Sequence, residues 1–265
     1  PTAFPRNVRR PIPLPFVETE TPKMPNPTAA ILIIEDEILS GRTRDSNMYF
    51  LAGELSRAGI DLREVRVVPD LESAIVGAVN DLRLIFDYVF TSGGIGPTHD
   101  DITADAIARA FGVPLTIRDD ARAVLAQHYE KAGVEFNAAR QRMARIPEGA
   151  ALIDNPISAA PGFSLANVHG MAGVPSIFEA MVASLLPRLT GGRPLLSQTL
   201  RVDRGEGAIA EPLAALAAEF GDLSFGSYPF VRDGAYGSNL VVRGTDSARV
   251  DAAILRLAAI FPPRT

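Results

Sequence analysis

Three glycines, Gly93, Gly94 and Gly96, stand between a predicted buried strand and a predicted helix. Glycine lets successive backbone N–H groups turn toward one point, and the amino end of a helix adds partial positive charge. A phosphate group suits such a loop, so we predict that these glycines bind a phosphorylated ligand. The segment is not a dinucleotide fingerprint, because His99 replaces the last glycine, and it lacks the Gly-Lys-Ser/Thr of a Walker loop. A tight turn without a ligand is the alternative.

Two adjacent carboxylates, Asp100 and Asp101, follow the loop. They would repel a phosphate unless a cation lay between them, so their position predicts a bound divalent metal ion. Thr98 and Thr103 of the same segment are predicted ligand-binding residues, and Thr103 is also a candidate helix cap. Alternatively, Asp100 or Asp101 only caps the helix.

A second acidic cluster, residues 35–37, follows the first predicted strand and precedes Ser40, Gly41 and Arg42. Ligands of open parallel sheets bind at the carboxyl ends of the strands. We therefore predict that Asp36 and Asp101 share a metal ion, that Asp100 or Glu37 acts as a base, and that residues 40–42 contact phosphate. A solvated acidic turn is the alternative.

Strand and helix patterns alternate along the first part of the chain, which predicts a parallel sheet with right-handed crossovers. Predicted strands span residues 29–34, 62–68 and 85–90, and Asp70 is the predicted cap of the second helix. Proline-rich residues 1–28 are predicted to be an irregular tail. A linker at 190–194 separates the α/β domain, residues 29–190, from a small α+β lobe, residues 195–265.

Composition excludes several classes of function. The net charge of −5 without a basic block argues against a nucleic acid partner, and the absence of cysteine excludes disulfides, thiolate metal sites and thiol nucleophiles. No apolar run approaches the ~20 residues of a membrane span, so neither a membrane partner nor export is expected, and a cytoplasmic location is predicted. The histidines lack metal-ligand spacing, and neither haem nor a flavin prosthetic group is expected.

The segment from Gly93 to Thr103, together with residues 36–41, resembles the molybdopterin-binding domain of the MoaB/Mog type, specifically the amino-terminal domain of CinA-like proteins. Residues 155–156, 160–163 and 172–175 carry further matches. The resemblance implies a three-layer α/β/α fold that binds a phosphorylated pterin or nucleotide and forms a homo-oligomer. It also implies that Asp101 serves both metal and ligand, and that Gly173 and Pro175 belong to the ligand site.

The resemblance leaves three functions open. Relatives of the CinA branch suggest a metal-dependent pyrophosphatase acting on dinucleotides such as ADP-ribose or FAD, with Mg²⁺, Mn²⁺ or Co²⁺; this is the function that we predict. The Mog branch suggests adenylylation of molybdopterin instead. A ligand-binding or scaffold protein without activity is the third possibility, because Glu35 stands where the family usually has glycine, and Ser158-Ala159 replaces the usual Gly-Thr.

Overall fold

The computed structural model describes residues 25–232 and 234–262, so most of the predicted tail lies outside the described residues. The first domain contains eight strands and seven helices of four residues or more within this part of the chain. In chain order they are β1 (Thr28–Ile34), α1 (Asp36–Leu39), α2 (Asn47–Ala58), β2 (Asp61–Val68), α3 (Glu72–Arg83), β3 (Tyr88–Ser92), α4 (Thr103–Phe111), β4 (Leu115–Ile117), α5 (Asp119–Lys131), α6 (Ala138–Gln141), β5 (Arg145–Pro147), β6 (Ala151–Ile153), β7 (Gly162–Leu165), β8 (Val168–Met171) and α7 (Pro175–Leu185).

Six of these strands form one mostly parallel sheet in the order β2-β1-β3-β8-β7-β6. The strands β2, β1, β3 and β8 run parallel, whereas β7 and β6 join antiparallel at one edge. The strands β4 and β5 form a separate antiparallel pair. The predicted parallel sheet is therefore confirmed, with an antiparallel edge.

Strand β1 explains why the domain has three layers. Its alternate residues point to opposite faces of the sheet, and both faces are apolar and buried. Ala30, Leu32 and Ile34 pack in a core with residues of α3, α4 and α5. Ala29, Ile31 and Ile33 pack in a second core with residues of α2 and α7. Helices therefore cover both faces, as the three-layer prediction requires.

Two local predictions were wrong. The third strand was predicted over residues 85–90, but Ile85 is 67% exposed and the strand begins at Tyr88. Asp70 was predicted to cap α3, but the residue before that helix is Leu71, and Asp70 instead accepts a hydrogen bond from the backbone N–H of Asp36 at 2.9 Å. Asp70 thus joins the ends of β1 and β2.

The remaining elements form a small α+β lobe, as predicted. They are β9 (Leu196–Val202), α8 (Glu206–Glu219), β10 (Ser224–Arg232), β11 (Ala235–Gly244) and α9 (Ser247–Ile260). The three strands make an antiparallel sheet in the order β10-β11-β9, and α8 and α9 pack on it over a separate apolar core. The boundaries of the two domains stay predictions.

Candidate ligand-binding cavity

A cavity of about 570 Å³ opens at the carboxyl ends of β1, β3 and β8, where the sequence predicted a ligand. Its volume suits a nucleotide-sized molecule, since small-molecule sites usually measure ~300–1,000 Å³. The glycine loop, the segment after β8 and residues of α5 and α7 form its walls. The lining residues are Glu35, Gly93, Gly94, Ile95, Gly96, Pro97, Asp101, Tyr129, Met143, Asn155, Ser158, Ala160, Ala172, Gly173, Val174 and Ile177.

The glycine loop requires glycine at two positions. Gly93 and Gly94 have φ angles of +106° and +64°, which side chains rarely tolerate. A Cβ on Gly93 would lie 2.2 Å from the carbonyl oxygen of Ile34, and a Cβ on Gly94 would lie 2.2 Å from Thr103 Oγ1. Close contact with the Ile34 backbone and the Thr103 side chain therefore fixes the loop, and its predicted binding of phosphate stays a prediction.

Thr103 holds this loop and does not face the cavity. Its side chain is completely buried, and its hydroxyl donates a hydrogen bond to the carbonyl oxygen of Gly93 at 2.8 Å. Its backbone N–H donates to the carbonyl oxygen of Gly94 at 3.1 Å. Thr103 is the first residue of α4, so the residue at the cap position is Ile102 and the predicted cap is wrong by one position.

Asp101 is the predicted carboxylate that faces the cavity. Its Oδ2 accepts a hydrogen bond from the backbone N–H of Thr98 at 2.8 Å and another from the Thr98 hydroxyl. A Cβ on Gly96 would lie 2.5 Å from the same oxygen, so the carboxylate packs directly against the glycine loop. Thr98 positions Asp101 but does not itself line the cavity, and neither does the exposed Asp100.

Glu35 also lines the cavity. Its Oε1 lies 2.3 Å from the position of a Cβ on Gly173 and 3.3 Å from that of a Cβ on Gly93. Partial burial, with smaller contributions from the negative charges of Asp45, Glu37 and Asp70, raises the pKa of Glu35 from 4.5 to about 7. Near neutral pH this carboxyl group therefore exists in both protonation states.

The rest of the first acidic cluster lies outside the cavity. Asp36 and Glu37 are exposed on α1, and Ser40, Gly41 and Arg42 form an exposed turn after it. None of these residues lines the cavity. The position of these side chains therefore gives no support to the predicted phosphate contacts of residues 40–42. It gives none either to the predicted role of Glu37 or Asp100 as a base, and both stay predictions.

The two acidic segments nevertheless meet at Asp70, which the sequence reasoning assigned only to a helix cap. Burial raises the pKa of Asp70, and the negative charges of Asp36, Glu37 and Asp100 act in the same direction. The signal was present in the sequence, because Asp70 follows β2 and parallel strands end at one edge. Among the described residues no set of three or more His, Asp or Glu side chains could hold a metal ion. The shared metal site of Asp36 and Asp101 stays a prediction.

Two further networks hold the cavity walls. The Asn155 amide donates to Ser158 Oγ at 2.6 Å and to the carbonyl oxygen of Ala160 at 2.8 Å, so it fixes the loop that contains Ser158. The Asn47 amide, buried at the start of α2, donates to Ser92 Oγ at 2.8 Å and to the carbonyl oxygen of Gly173 at 2.7 Å. Gly173, a predicted ligand-binding residue, lines the cavity.

One more predicted ligand-binding residue, Pro175, lies near the cavity, and two residues that were not predicted line it. Pro175 starts α7 beside the cavity without lining it. Tyr129 of α5 and Met143 line the cavity, although no motif marked them, because they reach it only through the packing of distant segments. Their side chains form an apolar part of the cavity wall.

The fold and the cavity define a three-layer α/β domain with an open cavity at the carboxyl ends of its parallel strands, and comparison with known proteins identifies the family of this domain. The family model "Probable molybdopterin binding domain" matches residues 30–191, and the chain belongs to this family. A second model, "FAD synthase, middle domain", matches residues 194–265. The resemblance to MoaB/Mog and CinA-like proteins is thereby confirmed, and the small lobe is similar to a different family.

Individual relatives cover different parts of the chain. A "Probable FAD synthase" of Caenorhabditis elegans is 32% identical over 267 residues, which cover 91% of this chain and 51% of that protein. A "CinA-like protein" of Citrifermentans bemidjiense is 39% identical over 167 residues, which cover 61% of this chain and 40% of that protein. The chain thus spans about half or less of the length of these two relatives.

A solved structure agrees with the fold of the first domain. The structure of the protein CinA from Thermoplasma acidophilum aligns with a TM-score of 0.56 and 33% identity, covering 61% of this chain and 96% of that one. Within the part of the chain that the structure describes, no helix combines the length and the apolar character needed to cross a bilayer.

Proposed function

We propose that this protein binds a dinucleotide in the cavity and hydrolyses its diphosphate with the help of a divalent metal ion. Compounds such as FAD and ADP-ribose are the proposed substrates. The observation that carries the proposal is that the glycine loop and the Asp101 carboxylate line the same cavity of about 570 Å³. Backbone N–H groups that orient phosphates and a carboxylate that orients a cation are the two components that hydrolysis of a phosphoanhydride requires.

The domain organisation supports a dinucleotide as the ligand. Relatives named "Probable FAD synthase" match across both domains, and the second domain matches a family named after FAD synthase. FAD contains a phosphoanhydride between two nucleotide halves. An apolar wall formed by Tyr129, Met143 and Ile177 would accept one of its flat rings.

In the proposed reaction, water adds to one phosphorus atom and the bridging P–O bond breaks, which releases two phosphate-terminated products. The backbone of residues 94–96 would orient the diphosphate, and Asp101, held by Thr98, would hold the metal ion. When bound, a divalent ion neutralises charge on the phosphates and polarises the bridge. Thr103 and Asn47 keep the loops that approach the diphosphate in place.

The test is a panel of FAD, ADP-ribose and related dinucleotides with Mg²⁺, Mn²⁺ and Co²⁺, with detection of the released nucleotides. Asp101→Asn keeps the shape and removes the charge, and we expect it to lower the rate at least ~100-fold, since metal-assisted charge stabilisation supplies several kcal/mol. Asp119→Asn, an exposed and distant exchange of the same kind, is the matched control. Equal rates for Asp101→Asn and the parent would refute the proposal. Asp100→Asn tests the predicted base separately.

Adenylyl transfer is the second candidate, and the names of the relatives favour it. In this reaction a phosphate oxygen of flavin mononucleotide attacks the α-phosphorus of ATP, and pyrophosphate leaves. The product, FAD, contains the same phosphoanhydride that the first proposal breaks. Incubation with ATP and either flavin mononucleotide or a phosphorylated pterin distinguishes the two reactions. Formation of an adenylylated product without hydrolysis of dinucleotides would favour the transferase.

A further inference from the structure

At one end of the cavity, the Glu35 carboxylate fills the gap between the glycine loop, which contains Gly93, and the segment after β8, which contains Gly173. Its Oε1 lies close to Gly173 and Gly93, at 2.3 Å and 3.3 Å from the positions of a Cβ on each. The part of the cavity nearest to these two backbones is therefore occupied by a carboxylate of the protein itself. A phosphate oxygen could enter this gap only by displacing Glu35.

No cationic side chain balances Glu35 within the cavity. The residues that line it include no Lys, Arg or His. In the described ranges, the Glu35 carboxylate has no hydrogen-bond or ion-pair partner, and the charges that act on it, from Asp45, Glu37 and Asp70, are all negative. A free diphosphate would therefore meet like charge where it approaches this end of the glycine loop.

A metal ion carried by the ligand removes this conflict. The described residues contain no set of three or more side chains that could hold an ion before the ligand arrives. Mg²⁺ in proteins is usually bound by one or two carboxylates together with substrate phosphates. Two carboxylates, Glu35 and Asp101, line the cavity, and a dinucleotide diphosphate chelated to one divalent ion has little net charge left to repel.

Building on the proposed function, we propose that Glu35 is a specificity-determining residue, which makes the cavity accept a diphosphate only as its complex with a divalent metal ion. With glycine at this position the gap would be open to free phosphate. With Glu35 present, the metal-free ligand is rejected by its charge and the chelated ligand is accepted. The backbone at Glu35 is extended, with φ −165°, so either glycine or glutamine can replace it without backbone strain.

Calorimetric titration with α,β-methylene-ADP tests this inference without any turnover, because the methylene bridge cannot be hydrolysed. Each protein is titrated near pH 8, once with Mg²⁺ and once with a chelator. The proteins are the parent, Glu35→Gln, Glu35→Gly and the control Glu130→Gln, which removes the same charge from an exposed position on α5. The measured quantity is the ratio of the two dissociation constants.

We expect the parent to bind at least ~10-fold more weakly without Mg²⁺, since like charges brought together weaken binding. Both Glu35 variants should reduce this ratio below ~3-fold by gaining affinity for the metal-free ligand, whereas Glu130→Gln should keep the parent's ratio. Glu35 variants with the parent's ratio would overturn the inference. So would a parent that binds equally well in both conditions, or an absence of binding by all four proteins.

The result separates this inference from the proposed function. If the ratio changes as expected but no dinucleotide is hydrolysed, the inference stands and the hydrolase proposal fails. If dinucleotides are hydrolysed but the ratio is the same in the parent and the Glu35 variants, the hydrolase proposal stands and Glu35 is not the residue that sets the metal requirement.

Discussion

Replacing Glu35 by Gln should change how the stability of the protein depends on pH. The pKa of Glu35 is raised from 4.5 to about 7, chiefly by burial, so the folded protein holds this proton more tightly than the unfolded chain does. The stabilisation from the protonated form is complete below pH 4.5 and is lost as the pH rises through about 7. Glutamine does not ionise, so the free energy of unfolding of the variant should not decrease in this way as the pH rises.

The magnitude follows from the two pKa values. Their difference corresponds to an upper bound of about 3 kcal/mol, at roughly 1.36 kcal/mol per pH unit. The side chain is only partly buried, so solvent screens its charge, and we expect about 1 kcal/mol in practice. In thermal unfolding this corresponds to roughly 2–4 °C for a protein of this size.

Urea denaturation near pH 5 and near pH 8, followed by far-ultraviolet circular dichroism, measures the effect; the chain contains no tryptophan for fluorescence. Relative to the parent, Glu35→Gln should gain about 1 kcal/mol of stability when the pH changes from the lower to the higher value. The exposed Glu130→Gln should show no such gain. If Glu35→Gln and the parent lose the same stability over this range, the reasoning about the buried carboxylate is refuted.

Two further changes test the structural argument. Burial, with a smaller contribution from Arg188, lowers the pKa of His169 from 6.5 to about 4, so stability that is present above pH 6.5 is lost as the pH falls through about 4. As the pH falls through this range, we expect the free energy of unfolding of His169→Gln to decrease by up to about 3 kcal/mol less than that of the parent. Plots of unfolding free energy against pH that run parallel for the two proteins would contradict this. Thr103→Val removes the hydroxyl that donates to Gly93, and we expect it to lower the free energy of unfolding by about 1–3 kcal/mol in urea denaturation. The control is Thr116→Val, which changes an exposed threonine. If both variants lose the same free energy of unfolding, Thr103 does not have the proposed role.

Much of the fold could be predicted from the sequence because its patterns are local. The strand of residues 29–34 is apolar on both faces, which is the pattern of a central strand under two helical layers. The small α+β lobe was also predicted, and its last helix, α9, spans residues 247–260. The pair of β4 and β5 was missed because each strand has only three residues, too few to establish a period of two.

The candidate site could be predicted only in part. The glycine loop and Asp101 carry a motif within one segment, and the structure places them together. Tyr129 and Met143 belong to separate segments, and only tertiary packing brings them to the cavity. Asp36 was expected beside Asp101, but the chain turns into α1 directly after β1, so Glu35 lines the cavity and Asp36 does not.

A crystal structure of the parent protein with a non-hydrolysable ADP-ribose analogue and Mg²⁺ would test the central claim most directly. We expect the diphosphate to lie against the backbone of residues 94–96, with the ion beside Asp101 and a ring against Tyr129. Electron density for the analogue at another surface, with this cavity empty, would contradict the account.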